Sequence, residues 1–183
     1  MEQHLPRVAA VYLRKIWQAH DEKNEMEGWS SAQKLYEILG ATPAQASTAG
    51  HLTIQAFFLA DRAESYQQMD MPDMEDFFYD IAKQFLVKAR GICEMETESP
   101  TYTVQWWKAY RHKEKDSVMQ AMLEEHKAQL TGLPLTERLG YSLACVNKLI
   151  PAGAAHDKKD WKTVDDKLEE YFKEYFGALN LQL

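Results

Sequence analysis

The residue types that most often carry chemistry are present in this chain but are not spaced for it. Six histidines, His4, His20, His51, His112, His126 and His156, are scattered along the sequence. A helical di-metal centre would need a Glu three residues before one of them, so that carboxylate and imidazole share a helix face. None has one. The patterns HExxH, paired CxxC and His-x-x-x-His are also missing, so the familiar ligand sets for zinc do not occur. His112 with Asp116 and His156 with Asp160 have four-residue spacing, but each pair straddles an expected helix start. No metal and no cofactor is expected.

Covalent and nucleotide chemistry fare no better. Gly140, Tyr141 and Ser142 lack the closing glycine of a nucleophile elbow and follow no strand pattern, so the serine reads as a small residue at a helix contact. Neither GxGxxG nor GxxxxGK[ST] occurs, which leaves nucleotide phosphates without a glycine-rich cradle. Asp165, Asp166 and Glu169 spell DDxxE and so resemble the magnesium-binding motif of isoprenoid synthases. That resemblance implies a second metal motif and a much larger helical fold, neither of which is in this sequence. A solvated acidic face near a helix start accounts for the three residues.

Two clusters remain as binding candidates. Trp106, Trp107 and Tyr110 stand beside Arg111 and His112, with Met119 and Met122 on the following segment. On one helix Trp107 and Tyr110 turn inward with Val104 while Trp106 points elsewhere. Core packing is the plainer reading. The functional one is an apolar ligand pocket or the anchor of a protein interface, where Trp, Tyr, Arg and Met are enriched. Asp73, Asp76 and Asp80 share a second helix face, and could meet a cation or a basic partner, although compensation of the helix dipole explains most of them. His51 and His126 lie among apolar residues and read as hydrogen-bonded core histidines.

These residues must be held by helices, because alternation of the strand type is nearly absent. Pro6, Pro43, Pro72, Pro100, Pro134 and Pro151 mark the edges of periodic segments, where proline either begins a helix or stops one. The clearest segment is Met71 to Cys93, with an apolar stripe through Met74, Phe77, Phe78, Ile81, Ala82, Phe85, Ala89 and Ile92. Its stripe is expected to pack against Leu52 to Tyr66 and the C-terminal helix. A first helix is expected from Pro6 to Lys23 with Leu5, Val8, Ala9, Tyr12 and Ile16 inward. Ser30 with Gln33 has capping-box spacing for a second helix that Gly40 closes.

Further on, Thr42 caps a helix beginning at Pro43, in which Gly50 marks close packing or a bend. Ser99 caps one beginning at Pro100. A break is expected near Lys113 to Asp116, with Asp116 or Ser117 as the next cap. Leu135, Leu139, Leu143, Val146, Leu149 and Ile150 form the stripe of a helix that Pro151 and Gly153 are expected to stop. Asp160 caps the last. Trp161, Val164, Leu168 and Tyr171, with Ala155 before them, resemble the second helix of one tetratricopeptide unit. Pro151 falls where that family's first helix should be continuous and no second copy follows at the proper period, so no family is assigned.

The expected fold class is all-α: a single-domain bundle of seven or eight mostly antiparallel helices, or a stack of helical hairpins. At 183 residues with a formal charge of −7, the chain suits one domain and argues against a nucleic-acid footprint. Its best basic patch, Arg111, His112, Lys113 and Lys115, is broken by Glu114 and Asp116. Charges interrupt the opening MEQHLPRVAAVYLRKIW, so no secretory leader is expected. The longest apolar run, Ile54 to Ala60, is far short of the ~20 residues that span a bilayer. Cys93 and Cys145 lie on apolar stripes and read as small hydrophobes of a cytoplasmic protein. The functional expectation is therefore a non-catalytic interaction, adaptor or regulatory protein, with another protein as partner or a second copy of itself. The competing expectation is an all-α enzyme or small-ligand binder with an aromatic-lined pocket between helices.

Overall fold

The computed structural model describes residues 4–180. Among them are eight helices and no strand: α1 (Leu5–Asp21), α2 (Glu25–Ile38), α3 (Pro43–Gln68), α4 (Pro72–Ile92), α5 (Ser99–Arg111), α6 (Lys115–Gln129), α7 (Leu135–Asp157) and α8 (Trp161–Asn180). Each packs on its neighbours in sequence, and α1 packs on α8 as well as α2, so the set closes on itself.

The organisation becomes clear at the links. Lys23, Asp70, Lys113 and Lys159 all take a left-handed backbone, with φ of 54°, 55°, 61° and 57°. Each ends an odd-numbered helix, and the next residue but one begins an even-numbered helix. The N–H of the residue between reaches back to a helix carbonyl: Asn24 to Ala19 at 2.8 Å, Met71 to Tyr66 at 3.0 Å, Glu114 to Ala109 at 2.9 Å and Asp160 to Ala155 at 3.0 Å. This closure satisfies one of the orphan carbonyls of a helix end and turns the chain back on itself at once. The four links lie 47, 43 and 46 residues apart. The chain is therefore four similar helical hairpins, at a spacing longer than the roughly 34 residues of a tetratricopeptide unit.

A second regularity joins the hairpins. The residue three positions before each left-handed residue bonds to the following hairpin. His20 Nε2 meets Asp61 Oδ1 at 2.9 Å and Gln67 Nε2 meets His112 Nδ1 at 3.3 Å. Tyr110 Oη donates to Asp157, and His156 Nε2 meets Asp21 Oδ2 at 3.0 Å, which returns to the first hairpin. Four equivalent positions thus form a polar belt around the link end of a closed ring.

The contact lines between helices are rich in alanine. Ala46, Ala49, Ala56, Ala60 and Ala63 are wholly or almost wholly buried on α3, as are Ala9, Ala10 and Ala19 on α1 and Ala82 and Ala89 on α4. Small side chains let the backbones approach closely, and the large apolar residues then fill the edges. At Gly50 the approach is closest: an added Cβ would lie 2.8 Å from the Gln33 backbone N. Close packing with α2, rather than a bend, is what this glycine serves.

This packing corrects several expectations. The stripe of α1 is rotated, so that Leu5 and Val8 are exposed. Phe77 on α4 is exposed, whereas Glu75 and Tyr79 are buried. Helix α4 packs on α3 and α5, while α8 packs on α1 and α7 instead of α4. Helix α2 begins at Glu25, because the Asn24 side chain accepts from Glu27 N at 3.2 Å; Ser30 lies inside it. Helix α6 restarts at Lys115, directly after the Lys113 turn, with no side-chain cap from Asp116 or Ser117. Helix α5 has no cap from Ser99; the Glu96 carboxylate accepts from Glu98 N at 3.0 Å and Ser99 N at 2.9 Å instead. Thr42 with Gln45 and Asp160 with Thr163 do cap α3 and α8.

Helix α7 runs on through Pro151. Proline removes one helical hydrogen bond, that to the Asn147 carbonyl. Pro151 and Asn147 are both exposed, while Ala152 and Ala155 beyond them are buried in the cluster with Val164 and Leu168. Burial of the last two turns outweighs the lost bond.

Candidate functional site

The structure divides the seven aromatic-cluster residues among different surroundings. Trp107 is buried and stacks on Phe57, ring centroids 4.8 Å apart, inside the α3–α4–α5 core. Trp106 is half-buried and its Nε1 donates to Glu125 Oε2 at 2.7 Å, tying α5 to α6. Met122 is buried and Met119 exposed on α6. Tyr110, expected inward, is 45% exposed because it belongs to the polar belt and reaches Asp157. Burial, then the Asp157 carboxylate, hold its hydroxyl well above the usual tyrosine range.

Arg111 and His112 lead to a charged network at the link end. Asp61 is its hub, taking His20 Nε2 at 2.9 Å, Lys23 Nζ at 2.5 Å and Arg111 Nη2 at 3.3 Å. Burial pushes the Asp61 carboxyl up, but the hydrogen bonds from His20 and Lys23 outweigh it and bring it down to about 2. Arg111 also binds Glu64 Oε2 at 2.9 Å. Burial opposes the Arg111 charge, and neighbouring Tyr79, Glu64 and Asp61 more than restore it. Tyr79, whose hydroxyl burial raises to about 12, has no hydrogen-bond partner of good geometry there.

His112 is held between two helices: its Nε2 meets Glu75 Oε1 at 2.8 Å and its Nδ1 the Gln67 amide. Glu75 is only 3% exposed. A carboxylate in a first helical turn ordinarily sits in solvent at the positive end of the helix dipole. The signal was its place four residues before Tyr79, on the stripe that proves to be buried. Of the acidic patch, Asp76 pairs with Lys108 at 2.5 Å and Asp80 with Lys83 at 2.6 Å, while Asp73 is exposed. All three are on the surface.

His126 is buried as expected, with Nδ1 on the Met122 carbonyl at 2.7 Å and Nε2 on Tyr171 Oη at 3.2 Å. Since the carbonyl can only accept, Nδ1 is the donor of the first of these bonds. His51, in contrast, is exposed beside Trp29. His156 pairs with Asp21 instead of Asp160. No group of three His, Cys, Asp or Glu among the described residues is placed to hold a metal.

Two surface features could receive a partner. A wide groove of about 670 Å³ runs between α5 and α6, with Ala109 and Ala121 in its floor and Lys108, His112, Asp116 and Glu124 on its rims. It is open, and most of the residues that line it are polar or charged types. The other is a ridge on α7, where Leu135, Leu139 and Leu143 are 68%, 44% and 42% exposed. These three were expected in the core, but between Leu135 and Ala144 the helix fully buries only Ser142. No helix among the described residues is long and apolar enough to cross a membrane. Compared with family models, curated proteins and solved structures, the chain matches none of them.

Proposed function

We propose that the chain is a non-catalytic, helical interaction protein of the cytoplasm, acting as one domain, which docks a helix of another protein along the leucine ridge of α7. The observation that carries this reading is the exposure of Leu135, Leu139 and Leu143 at four-residue spacing. Residues so spaced lie on one helix face and serve as anchors in helix-to-helix recognition. Covering each leucine contributes on the order of 1–2 kcal/mol. The net charge of −7 supports a protein over a nucleic acid as the partner. Free Cys93 and Cys145 support a reducing compartment.

A photo-crosslinking amino acid at position 139, compared with one at exposed Glu22 just past the end of α1, tests the reading in a lysate of the source cells. The expected result is one discrete heteromeric adduct specific to position 139 and lost in Leu135→Glu/Leu143→Glu. Absence of an adduct at 139, or the same adduct from position 22, would refute it. The ridge is also symmetric about Leu139, so an antiparallel second copy is the competing occupant. Sedimentation at two concentrations separates the two: a heteromeric partner leaves the isolated chain monomeric at both.

A further inference from the structure

Equivalent positions recur in each hairpin, and the second hairpin departs from the first and third in what it places there. Counted from the left-handed link residue, the positions five, four and one before it and one and four after it line an open groove in two hairpins. In the first they are Gln18, Ala19, Glu22, Asn24 and Glu27, and in the third Lys108, Ala109, His112, Glu114 and Ser117. A buried alanine, Ala19 or Ala109, forms the floor of each. In the second hairpin the same positions are Ser65, Tyr66, Met69, Met71 and Met74. Phe77 and Phe78 stand where the third hairpin has Gln120 and Ala121.

Here aromatic rings fill the space and the surface is apolar. Tyr66 and Phe78 stack with ring centroids 5.2 Å apart, and Phe77 meets Phe78 edge-on at 5.5 Å. The backbone N–H groups of Met69 and Met71 both donate to the Tyr66 carbonyl, at 3.1 and 3.0 Å, which places both methionines at the Tyr66 end of α3. Met69, Phe77 and Met71 are 62%, 54% and 43% exposed. The first and third hairpins make the same turn with polar residues at these positions, so folding does not require the apolar ones. An exposed apolar face with a polar rim marks an interaction site.

The rim selects the occupant. No Lys or Arg occurs between Arg62 and Lys83, and Asp70, Asp73, Asp76 and Asp80 are all exposed. Asp73 and Asp80 lie one turn to either side of Phe77 on α4, and Asp70 lies between the two methionines. Asp76 and Asp80 pair with Lys108 and Lys83, yet both side chains remain 66% exposed. Arg62, over the Phe78 ring at 5.9 Å, offsets one of these charges.

We propose that this face of the second hairpin docks an amphipathic helix of a partner protein whose apolar anchors are flanked by Lys and Arg. Methionine is flexible and polarisable, so Met69, Met71 and Met74 adapt to the shape of an incoming anchor beside Phe77. The aspartates attract the basic flanks and disfavour an anionic membrane surface. The seat belongs to the second hairpin and the α7 ridge to the fourth, so the two surfaces act independently.

The test is fluorescence anisotropy of the full chain with a labelled model helix of leucine and lysine, about 18 residues long, whose leucines form one stripe. Saturable one-to-one binding is expected. Met69→Gln/Phe77→Gln changes the two most exposed side chains of the seat, and with an unchanged far-ultraviolet circular dichroism spectrum it should bind at least tenfold more weakly. Asp70→Asn/Asp73→Asn should weaken binding roughly threefold at low salt and flatten its salt dependence; asparagine tolerates the left-handed turn at position 70. Leu135→Gln/Leu143→Gln should leave binding unchanged. No saturable binding, full binding by folded Met69→Gln/Phe77→Gln, equal binding of a leucine–glutamate helix, or loss of binding in Leu135→Gln/Leu143→Gln alone would overturn the proposal. So would self-association of the chain that Met69→Gln/Phe77→Gln abolishes, because a second copy would then be the occupant.

Discussion

Asp61→Asn should lower stability by an amount that depends on pH in a way the structure fixes. The Asp61 carboxylate accepts from His20 and Lys23 and faces Arg111, which brings its folded value from 3.8 to about 2. A carboxyl depressed on folding stabilises the native state above its unfolded value, and the contribution fades as pH falls toward the folded value. The gap multiplied by about 1.36 kcal/mol per pH unit is about 2.4 kcal/mol at pH 7. The same two-state titration leaves about 2.2 kcal/mol at pH 4 and about 1.3 kcal/mol at pH 3. Because Asp61 is 23% exposed and Lys23 is 60% exposed, salt should trim the part due to Lys23. Urea unfolding of both proteins at pH 7, 4 and 3 measures the difference directly, and at pH 7 it corresponds to roughly 5–10 °C in Tm. A difference that stays constant from pH 7 to pH 3, or one below about 0.5 kcal/mol throughout, would show that the Asp61 charge is not what joins the hairpins here.

Other outcomes follow from packing. Gly50→Ala puts a methyl 2.8 Å from the Gln33 backbone and should destabilise by about 1–3 kcal/mol; Gly177→Ala meets open space and should stabilise by roughly 0.5–1 kcal/mol, both read from thermal unfolding. Ser142 is fully buried and its hydroxyl has no partner, so Ser142→Ala should raise the urea midpoint by about 1 kcal/mol equivalent. Pro151→Ala should restore the bond to the Asn147 carbonyl and stabilise α7 by about 1–3 kcal/mol in the same assay, whereas a loss of stability would show that a proline-shaped helix is needed for α8 to pack.

Much of the fold was legible along the chain because helix caps and periodicity are local physics. Pro43 and Pro72 begin helices, Thr42 and Asp160 cap them, and Gly40 takes the positive φ expected after α2. The hairpin repeat was hidden because three of its four turns are made by Lys23, Lys113 and Lys159, a residue type that carries no turn signal of its own, and Asp70 alone shows no period. Burial phase was misread on α1, α4 and α7 for one reason: a pattern scan follows the large apolar residues, and this ring places alanine at its closest contacts. Leu135, Leu139 and Leu143 consequently sit outside, and Glu75 inside. The candidate sites depended still more on distant residues. Nothing near Trp107 in sequence shows that Phe57 covers it, and nothing near His20 shows Asp61 beside it. The sequence by itself determined that the chain is helical and where most helices begin, because those interactions span three or four residues. Which faces are buried, how four hairpins close into a ring and which polar groups join one hairpin to the next were decided only by tertiary structure, since each depends on contacts between residues tens of positions apart.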